Sequence, residues 1–502
     1  MNPRRRRLMS LAALAGWPLF SAAQPASPAP PATSDACALC REQLQTVQAL
    51  RARLPAGWDA QLQPEPVLGG QMLVVQAGAR DAPPLLLVHG LSQNGFTDWM
   101  PVIGPLSRDW RVIAVDLPGF GYSTVPQARL SPTNDARVLQ RLLASLGVAA
   151  LPVVGHSMGA AVALRLAADF PAQVSKLVLV DLAGLLHRTA FTKHATIGQL
   201  PSESWPDPLR EPVERLLDLG RIIVERALGL PDPTAVLRSN EWLWPLVLQD
   251  RSSINAALAL MDEDFSAALY TLRQPVQVIW GEADAVAPLR TGVLLARRLP
   301  QAQLHVLRGV GHTPMLQAGA EFTPLLQRVL RQEPLPRAPV PPLDGALQDL
   351  VSRDERDRHI GGRYRTVRIE RGIAVHLKDL VAERIEVRDS IVRMTGVVVR
   401  GDELALDVVN SELVATACDF EARQGVRADN ARLDLAGVRL HAQGFAIQAL
   451  RRSRVVASVC ELRDLNYRGW WHDDRELQGE LLNLSAAKPS EPTSPTRSQS
   501  GS

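Results

Sequence analysis

Short apolar runs recur along residues 62–332, and segments with helical spacing lie between them. The runs occupy residues 71–76, 85–88, 112–115, 151–154, 177–180, 276–279 and 304–307, with helical spacing over 136–146 and 160–170. The runs at 85–88 and 112–115 are continuous, which is typical of strands that are buried on both faces. Strands that alternate with helices predict an α/β domain around a mostly parallel sheet, here placed at residues 61–332.

The alternation stops between residues 184 and 272. This interval has a helical pattern and contains Trp205, Trp242 and Trp244. We expect a helical lid, at about residues 185–272, inserted above the sheet. The tryptophans favour an apolar ligand, since small-molecule pockets are lined mostly by apolar side chains.

A second domain is expected at residues 346–484, where β-branched residues alternate with charges. A proline-rich linker at 333–345 precedes it, and a Ser-, Pro- and Thr-rich tail at 485–502 is expected to be disordered. Steps of 21 residues from Ser390 reach related rows at Ser411, Arg432 and Ser453. A fixed period near 20 residues indicates a solenoid of stacked parallel rungs. An antiparallel sandwich or a barrel is the alternative for this all-β domain.

Two cysteines of this domain distinguish these alternatives. Cys418 and Cys460 lie 42 residues apart, which is two periods of 21. In a solenoid they occupy the same position two rungs apart, about 9–10 Å from each other. A disulfide needs Cα atoms within about 7 Å, so the solenoid predicts two free, inward-facing thiols. A sandwich or barrel permits a bridge.

The first 23 residues have the pattern of a secretory signal peptide. Arg4–Arg7 precede a short apolar stretch, and small residues follow at a cleavage site. An uncleaved anchor is the alternative. Removing the four arginines takes the formal net charge from +3 to −1, so the composition predicts no nucleic-acid partner. We expect a periplasmic or secreted protein.

Residues 24–60 are expected to form a linker and a helix that begins at a Cys-x-x-Cys motif. Cys37 and Cys40 follow a linker rather than a strand, which disfavours a redox site. Arg41 stands where haem attachment needs histidine, and no second Cys-x-x-Cys completes a zinc site. Export favours a local disulfide, although pairing elsewhere stays open.

The candidate nucleophile is Ser157, at the centre of Gly-His-Ser-Met-Gly between an apolar run and a helical run. The pattern G-x-S-x-G places a serine on a strained strand-to-helix turn with its hydroxyl projecting from the sheet. Glycines flank it because a Cβ there would collide with a neighbouring element. A chance pentapeptide in a βαβ crossover is the alternative interpretation.

An acid and a base follow the next strands in the order that such a turn requires, serine, acid, histidine. Asp284 follows the run at 276–279, and His312 follows the run at 304–307. Loops at the carboxyl ends of neighbouring parallel strands converge. Upstream, His89-Gly90 ends a buried strand, so the backbone N–H groups of Leu91 and Met158 are expected to form an oxyanion hole.

These motifs together resemble the α/β-hydrolase superfamily. The matching pieces are HG at 89–90, DLPGFGYS at 116–123, GHSMG at 155–159, WGEAD at 280–284 and GHTP at 311–314. The resemblance covers about residues 62–332 and leaves the C-terminal domain unassigned. It implies Ser157 as nucleophile, His312 as base and Asp284 as acid, with Asp116 as a structural turn residue. It also makes Asp181 an alternative acid, because some members place theirs after that strand.

The predicted activity is hydrolysis of a carboxylic ester, or of a thioester or amide, through an acyl-enzyme. A serine nucleophile argues against the related dehalogenases and epoxide hydrolases, which use aspartate. A carbon–carbon bond hydrolase of ring-cleavage products and a non-catalytic binding protein are the alternatives. The chemistry requires no metal or cofactor, and the expected substrate is a small apolar ester. The C-terminal domain is a candidate for binding a polymer, the cell wall or a protein.

Overall fold

The computed structural model describes residues 45–190, 248, 251–332 and 347–484. Several predictions fall outside the described residues and therefore stay predictions. They concern the signal peptide, Cys37 and Cys40, the three tryptophans of the predicted lid, the proline-rich linker and the tail. Among the helices that the structure describes, none is long and apolar enough to cross a membrane.

The first part of the chain folds around an eight-stranded sheet, ordered β1-β2-β4-β3-β5-β6-β7-β8. Its strands are Asp59–Pro64 (β1), Gln71–Ala77 (β2), Pro84–Val88 (β3), Arg111–Val115 (β4), Leu151–His156 (β5), Val174–Val180 (β6), Val276–Gly281 (β7) and Ala302–Leu307 (β8). Pairing is antiparallel at β1–β2 and β2–β4 and parallel from β4 onward. The mostly parallel sheet is therefore confirmed.

Eight labelled helices accompany this sheet among the described residues. They are Met100–Leu106 (α1), Pro132–Ser145 (α2), Met158–Asp169 (α3), Ser252–Asp262 (α4), Ser266–Thr271 (α5), Leu289–Arg298 (α6), Pro314–Gln317 (α7) and Gly319–Arg331 (α8), and residues 45–51 are also helical. Helix α2 begins where the Ser131 hydroxyl accepts the amide N–H of Asn134, which satisfies one free donor of its first turn.

The central strands are mostly apolar because helices cover both faces of the sheet. In β3, Leu86 and Val88 face one core, whereas Leu85 and Leu87 face the opposite one. Strand residues point alternately to the two faces, so each strand supplies both cores. The sheet is thereby a rigid platform whose strand ends carry the candidate chemistry.

The C-terminal domain is all-β, as expected, and consists of stacked parallel rungs. Its strands are Leu350–Arg353 (β9), His359–Glu370 (β10), Val375–Arg388 (β11), Ile391–Thr395 (β12), Val398–Arg400 (β13), Leu404–Val409 (β14), Glu412–Thr416 (β15), Asp419–Ala422 (β16), Gln424–Asp429 (β17), Arg432–Ala436 (β18), Arg439–Ala442 (β19), Ile447–Ala449 (β20), Ser453–Arg463 (β21) and Arg468–Leu477 (β22). Strand β11 pairs in parallel with β12, β13 and β14, and so begins three ladders around one core. The antiparallel strand β22 pairs with β21 and ends the stack.

The repeat is less regular than a constant step of 21. Val392 pairs with Leu413, Leu413 with Leu433, and Leu433 with Val455, so successive steps are 21, 20 and 22 residues. The predicted row at Arg432 is therefore displaced by one residue, because Arg432 pairs with Glu412 rather than with Ser411. The corners between strands absorb this difference without disturbing the apolar ladders.

Both cysteines of this domain are free and buried. Asp419 pairs with Arg439 and Arg439 with Glu461, so the preceding residues Cys418 and Cys460 lie two rungs apart. Both thiols contribute to the apolar core of the stack. The free, inward-facing thiols expected of a solenoid are confirmed.

One corner of the solenoid packs against helix α6. At this corner Asp379, Gly396, Ala417, Gly437 and Val459 all have positive φ, between 45° and 62°. The side chain of Val459 is fully buried in the core that α6 also lines. A β-branched residue rarely adopts such a φ, so the packing around it must hold this backbone conformation.

Small residues at this corner allow the close approach of α6. A Cβ on Gly396 would lie 1.9 Å from Nη1 of Arg297, and a Cβ on Gly437 would lie 2.8 Å from Cγ of Leu294. The two domains are therefore in direct contact through a packed, shape-matched interface.

Arg298, at the end of α6, makes the most buried polar contacts of this interface. Its Nε and Nη2 groups donate to the carbonyls of Gly437 and Cys418, at 2.5 and 2.8 Å. Its Nη1 lies 2.7 Å from Oδ1 of Asp419, and the Arg298 side chain is only 2% exposed. A buried guanidinium with these partners joins two successive corners of the solenoid to the sheet domain.

Replacing Arg298 with methionine is expected to lower the free energy of unfolding by about 3 kcal/mol, because two buried carbonyls and a carboxylate lose their partner. Arg331→Met is the control, since Arg331 forms an exposed ion pair with Asp109 and its loss is expected to cost below about 1 kcal/mol. Urea unfolding of both variants measures the difference. Equal midpoints for the two variants would contradict the role of Arg298.

Candidate active site

Ser157 occupies the sharp turn between β5 and α3. Its backbone has φ 53° and ψ −118°, a conformation that L-residues avoid. The Ser157 N–H donates to the carbonyl of Val180 on the neighbouring strand, which helps to hold the turn. The strained turn carries the hydroxyl past the end of the sheet, as expected for a nucleophile on such a motif.

The glycines on either side of Ser157 are required by close backbone approach. A Cβ on Gly155 would lie 2.3 Å from the carbonyl oxygen of Gly159, and a Cβ on Gly159 would lie 2.2 Å from that of His89. Distances this short do not occur for real Cβ atoms, so larger residues would force the turn open.

His312 lies between the serine and an acid. Its Nε2 is 2.9 Å from Oγ of Ser157, and its Nδ1 is 2.8 Å from Oδ2 of Asp284. The three residues come from the ends of β5, β8 and β7, which lie in one parallel sheet. The structure therefore brings together the serine, base and acid named from the sequence, at hydrogen-bonding distances.

The second oxygen of Asp284 is held by backbone. Its Oδ1 accepts the N–H groups of Val286 and Ala287 at 2.7 and 2.9 Å. The side chain is fully buried. With one oxygen fixed, the other is directed at the imidazole. Glu282 is exposed, and its carboxylate accepts the N–H of Gly309 rather than facing the site.

Asp181, the alternative acid, does not contact the imidazole through a hydrogen bond. Its Oδ1 accepts the N–H of Gly281 at 2.8 Å, and its side chain lies beside that of Asp284. Burial and the nearby charge of Asp284 raise the pKa of Asp181 well above its ordinary value. Asp284 is therefore the carboxylate that bonds to His312, whereas Asp181 lies beside Asp284.

Two further histidines, His156 and His89, hold the loops around the site. His156 donates through Nε2 to the backbone carbonyl of His312 at 2.7 Å, and burial lowers its pKa to about 3. His89 accepts the N–H of Leu117 and donates to the carbonyl of Gly90, with a pKa lowered by burial to about 4. Both are neutral at pH 7 and position loops. The sequence feature that could have predicted a positioning role for His156 is its place directly before Ser157.

Asp116 organises the loops on the other side of the site. Its two oxygens accept the N–H groups of Phe96 and Tyr122, at 2.6 and 2.8 Å. Burial raises its pKa to about 7. These contacts are those of a structural turn residue, the role that the resemblance implied.

The backbone N–H groups of Leu91 and Met158 are the candidate oxyanion donors. Neither donates to another backbone carbonyl within the part of the chain that the structure describes. Met158 begins helix α3, so its N–H also lies at the positive end of the helix dipole. Gly90 permits this approach, since a Cβ there would lie 3.0 Å from Cβ of Ser157.

Comparison with known proteins identifies the family to which the sheet domain belongs. Residues 83–318 match the family model described as "alpha/beta hydrolase fold". The chain is 31% identical over 251 residues to a 2-hydroxymuconate semialdehyde hydrolase of Pseudomonas sp. (strain CF600), covering 48% of this chain and 85% of that relative. The chain belongs to the alpha/beta hydrolase fold family. It is therefore an enzyme of the hydrolase class.

Two further similar proteins match about half of this hydrolase. An uncharacterised protein of Mycobacterium tuberculosis is 30% identical over 277 residues, which cover 50% of this chain and 76% of that protein. A solved thermophilic esterase from Thermogutta terrifontis is 23% identical, with a TM-score of 0.40, and the match covers 54% of this chain and 98% of the esterase.

The residues described by the structure contain no cluster of three or more metal-ligating side chains. The groups that the structure brings together at the end of the sheet are a serine hydroxyl, an imidazole, a buried carboxylate and two backbone N–H groups.

Proposed function

We propose that this hydrolase cleaves a carboxylic ester, thioester or amide through an acyl-enzyme. The observation that carries the proposal is the hydrogen-bond chain from Ser157 through His312 to Asp284. In this mechanism Nε2 of His312 takes the serine proton as Oγ attacks the carbonyl carbon. Asp284 holds the tautomer with hydrogen on Nδ1 and stabilises the imidazolium that forms.

The intermediate places negative charge on the former carbonyl oxygen, and the N–H groups of Leu91 and Met158 stabilise it there. His312 then returns its proton to the leaving group. In the second half, the same base activates water, which attacks the acyl-enzyme and releases the acid. Ser157 recovers its proton, so the cycle needs no cofactor.

The proposed substrate is a small ester with an apolar acyl or alkyl group. This part of the proposal is supported by the tryptophans at 205, 242 and 244 of the lid sequence and by the apolar character of most ligand pockets. The arginine-led N-terminal pattern supports export to the periplasm or beyond. We propose that the solenoid binds a polymer, the cell wall or a protein. We propose no nucleic-acid partner for this protein.

A second candidate function is hydrolysis of a carbon–carbon bond in a ring-cleavage product. It is favoured by one observation, the similarity to proteins named 2-hydroxymuconate semialdehyde hydrolase and 2-hydroxy-6-oxononadienedioate/2-hydroxy-6-oxononatrienedioate hydrolase.

The purified full chain tests these functions with p-nitrophenyl acetate, butyrate and octanoate, with a ring-fission product, and with a serine-reactive fluorophosphonate. We expect turnover of the esters and phosphonate labelling of Ser157, mapped by mass spectrometry. Ser145→Ala is the control, because its hydroxyl donates to Leu142 on helix α2, away from the site. Turnover of the ring-fission product alone would favour the second function. If the chain shows no turnover of any substrate and no labelling of Ser157, it is a non-catalytic binding protein.

A further inference from the structure

Behind the proposed triad lies a second carboxyl group that the mechanism does not use. Asp181 follows β6, is fully buried, and lies beside Asp284. Gly281 bonds to both residues, because its N–H donates to Oδ1 of Asp181 and its carbonyl accepts the N–H of Asp284. Two ionised carboxylates in contact would repel strongly in a site that water does not reach. One of the two must carry a proton for the pair to be stable.

The hydrogen-bond partners identify which carboxyl group is ionised. The Asp284 carboxylate accepts from the N–H groups of Val286 and Ala287 and from the Nδ1 group of His312. Asp181 accepts from the N–H of Gly281, and its Oδ2 has no donor within the described part of the chain. Donors stabilise the charged form of a carboxyl group, so Asp284 is the better anion.

A proton on Oδ2 of Asp181 satisfies both residues. Buried polar atoms without a hydrogen bond are rare and costly, and Oδ2 is such an atom only while it lacks a hydrogen. As an O–H group it donates to Asp284, the acceptor in contact with it. Burial and the charge of Asp284 raise the pKa of Asp181, which is consistent with a neutral acid at pH 7.

We propose that Asp181 is a positioning residue that stays protonated and donates an O–H···O hydrogen bond from Oδ2 to the carboxylate of Asp284. The proposal rests on the proposed triad and adds a fourth member that acts through the acid. Asp181 thereby fixes the Asp284 carboxylate from one side, while the N–H groups of Val286 and Ala287 hold its Oδ1. It contributes orientation without adding a second negative charge beside the imidazole.

The charges around Asp181 bear on its pH dependence. Strand β6 lies between β5, which ends at His156, and β7, which is followed by the exposed Glu282 and the buried Asp284. His312, after β8, reaches this region through its bond to Asp284. Burial and the nearby His312 lower the pKa of His156 to about 3, so it is neutral at pH 7 and offers Asp181 no positive charge. As the pH rises through the raised pKa of Asp181, a second carboxylate forms and the orienting hydrogen bond is lost.

Asp181→Asn separates this role from that of a catalytic acid. Asparagine tolerates the positive φ of 45° at this position, and its amide both accepts from Gly281 and donates to Asp284. We expect kcat/KM for p-nitrophenyl butyrate to stay within about threefold of the parent, with an unmoved acidic limb of the pH profile. Asp181→Gly also tolerates this φ but lacks the donor, and is expected to lower kcat by about 10- to 100-fold with little change in KM.

Three results would overturn the proposal. A loss in Asp181→Asn as large as that of an Asp284 variant would make Asp181 a catalytic acid. A downward shift of the acidic limb by about one pH unit would show that Asp181 is ionised in the parent, because a lost negative charge disfavours the imidazolium. An Asp181→Asn chain that does not fold would show that an amide donor cannot replace the carboxyl group.

An infrared measurement keeps this proposal distinct from the enzymatic one. The difference spectrum between the parent and Asp181→Asn at pH 7 is expected to contain the carbonyl band of a protonated carboxylic acid. Subtraction is needed because Asp116, with its pKa raised to about 7, also contributes. Absence of this band would show that Asp181 is not protonated at pH 7, whatever the measured activity, and would overturn the proposal. If the band is present in a chain that hydrolyses no ester, the protonation of Asp181 is supported and the proposed ester hydrolysis is contradicted.

Discussion

Replacing Ser157 with alanine is expected to lower ester hydrolysis by on the order of 10⁴-fold or more, with the fold unchanged. Loss of the nucleophile removes the acyl-enzyme route and leaves only binding and the oxyanion donors. The turn should persist, since its conformation rests on Gly155, Gly159 and the Ser157 N–H bond to Val180, and none of these uses the hydroxyl.

Steady-state kinetics with p-nitrophenyl butyrate and thermal unfolding of the same samples measure both parts of this expectation. Ser145→Ala again serves as the control. Near-normal turnover in Ser157→Ala would assign the nucleophile elsewhere, and a large fall in melting temperature would show that the hydroxyl has a structural role.

Replacing Asp284 with asparagine is expected to lower kcat by about 10⁴-fold while KM changes little. The amide can still accept from Val286 and Ala287, but its NH₂ group favours the imidazole tautomer with hydrogen on Nε2. That hydrogen blocks acceptance of the serine proton. The loss is therefore one of chemistry and not of substrate binding.

Glu282→Gln is the matched control for Asp284→Asn. It lies two residues earlier on the same loop, and a glutamine oxygen can still accept the N–H of Gly309. We expect near-parent kcat for this variant. Comparable kcat in Asp284→Asn and Glu282→Gln would remove Asp284 from the proposed mechanism.

Local patterns explain why much of this protein was predictable. The strands β3 and β4 contain residues for both cores, so their burial on both faces is visible in the sequence as a continuous apolar run at 85–88 and 112–115. The strand–turn–helix around Ser157 is visible in the sequence because the two glycines that its close packing requires, Gly155 and Gly159, flank the serine within one pentapeptide. The solenoid is readable because each rung repeats the contacts of the previous one, and its register drifts by only one residue in either direction.

The choice between the two acids depended on the tertiary structure. Asp181 and Asp284 both follow strands of the same parallel sheet, and β6 and β7 are adjacent. The order of the strands places both aspartates near His312, so the sequence left both as candidates for the acid that bonds to it. The loop after β7 decides between them, because the N–H groups of Val286 and Ala287 aim one oxygen of Asp284 at the imidazole.

The contact between the two domains was also outside the reach of the sequence. It joins Arg298 to carbonyls 120 and 139 residues away, and carbonyls carry no sequence signature. The positive φ of Ala417 and Val459 follows from the stacking of rungs and not from residue preference, since neither residue favours that conformation. The sequence by itself determined which segments are strands, helices and rungs and which side chains carry chemistry. The tertiary structure alone decided which partners those side chains meet, because long-range packing sets distances that local patterns do not encode.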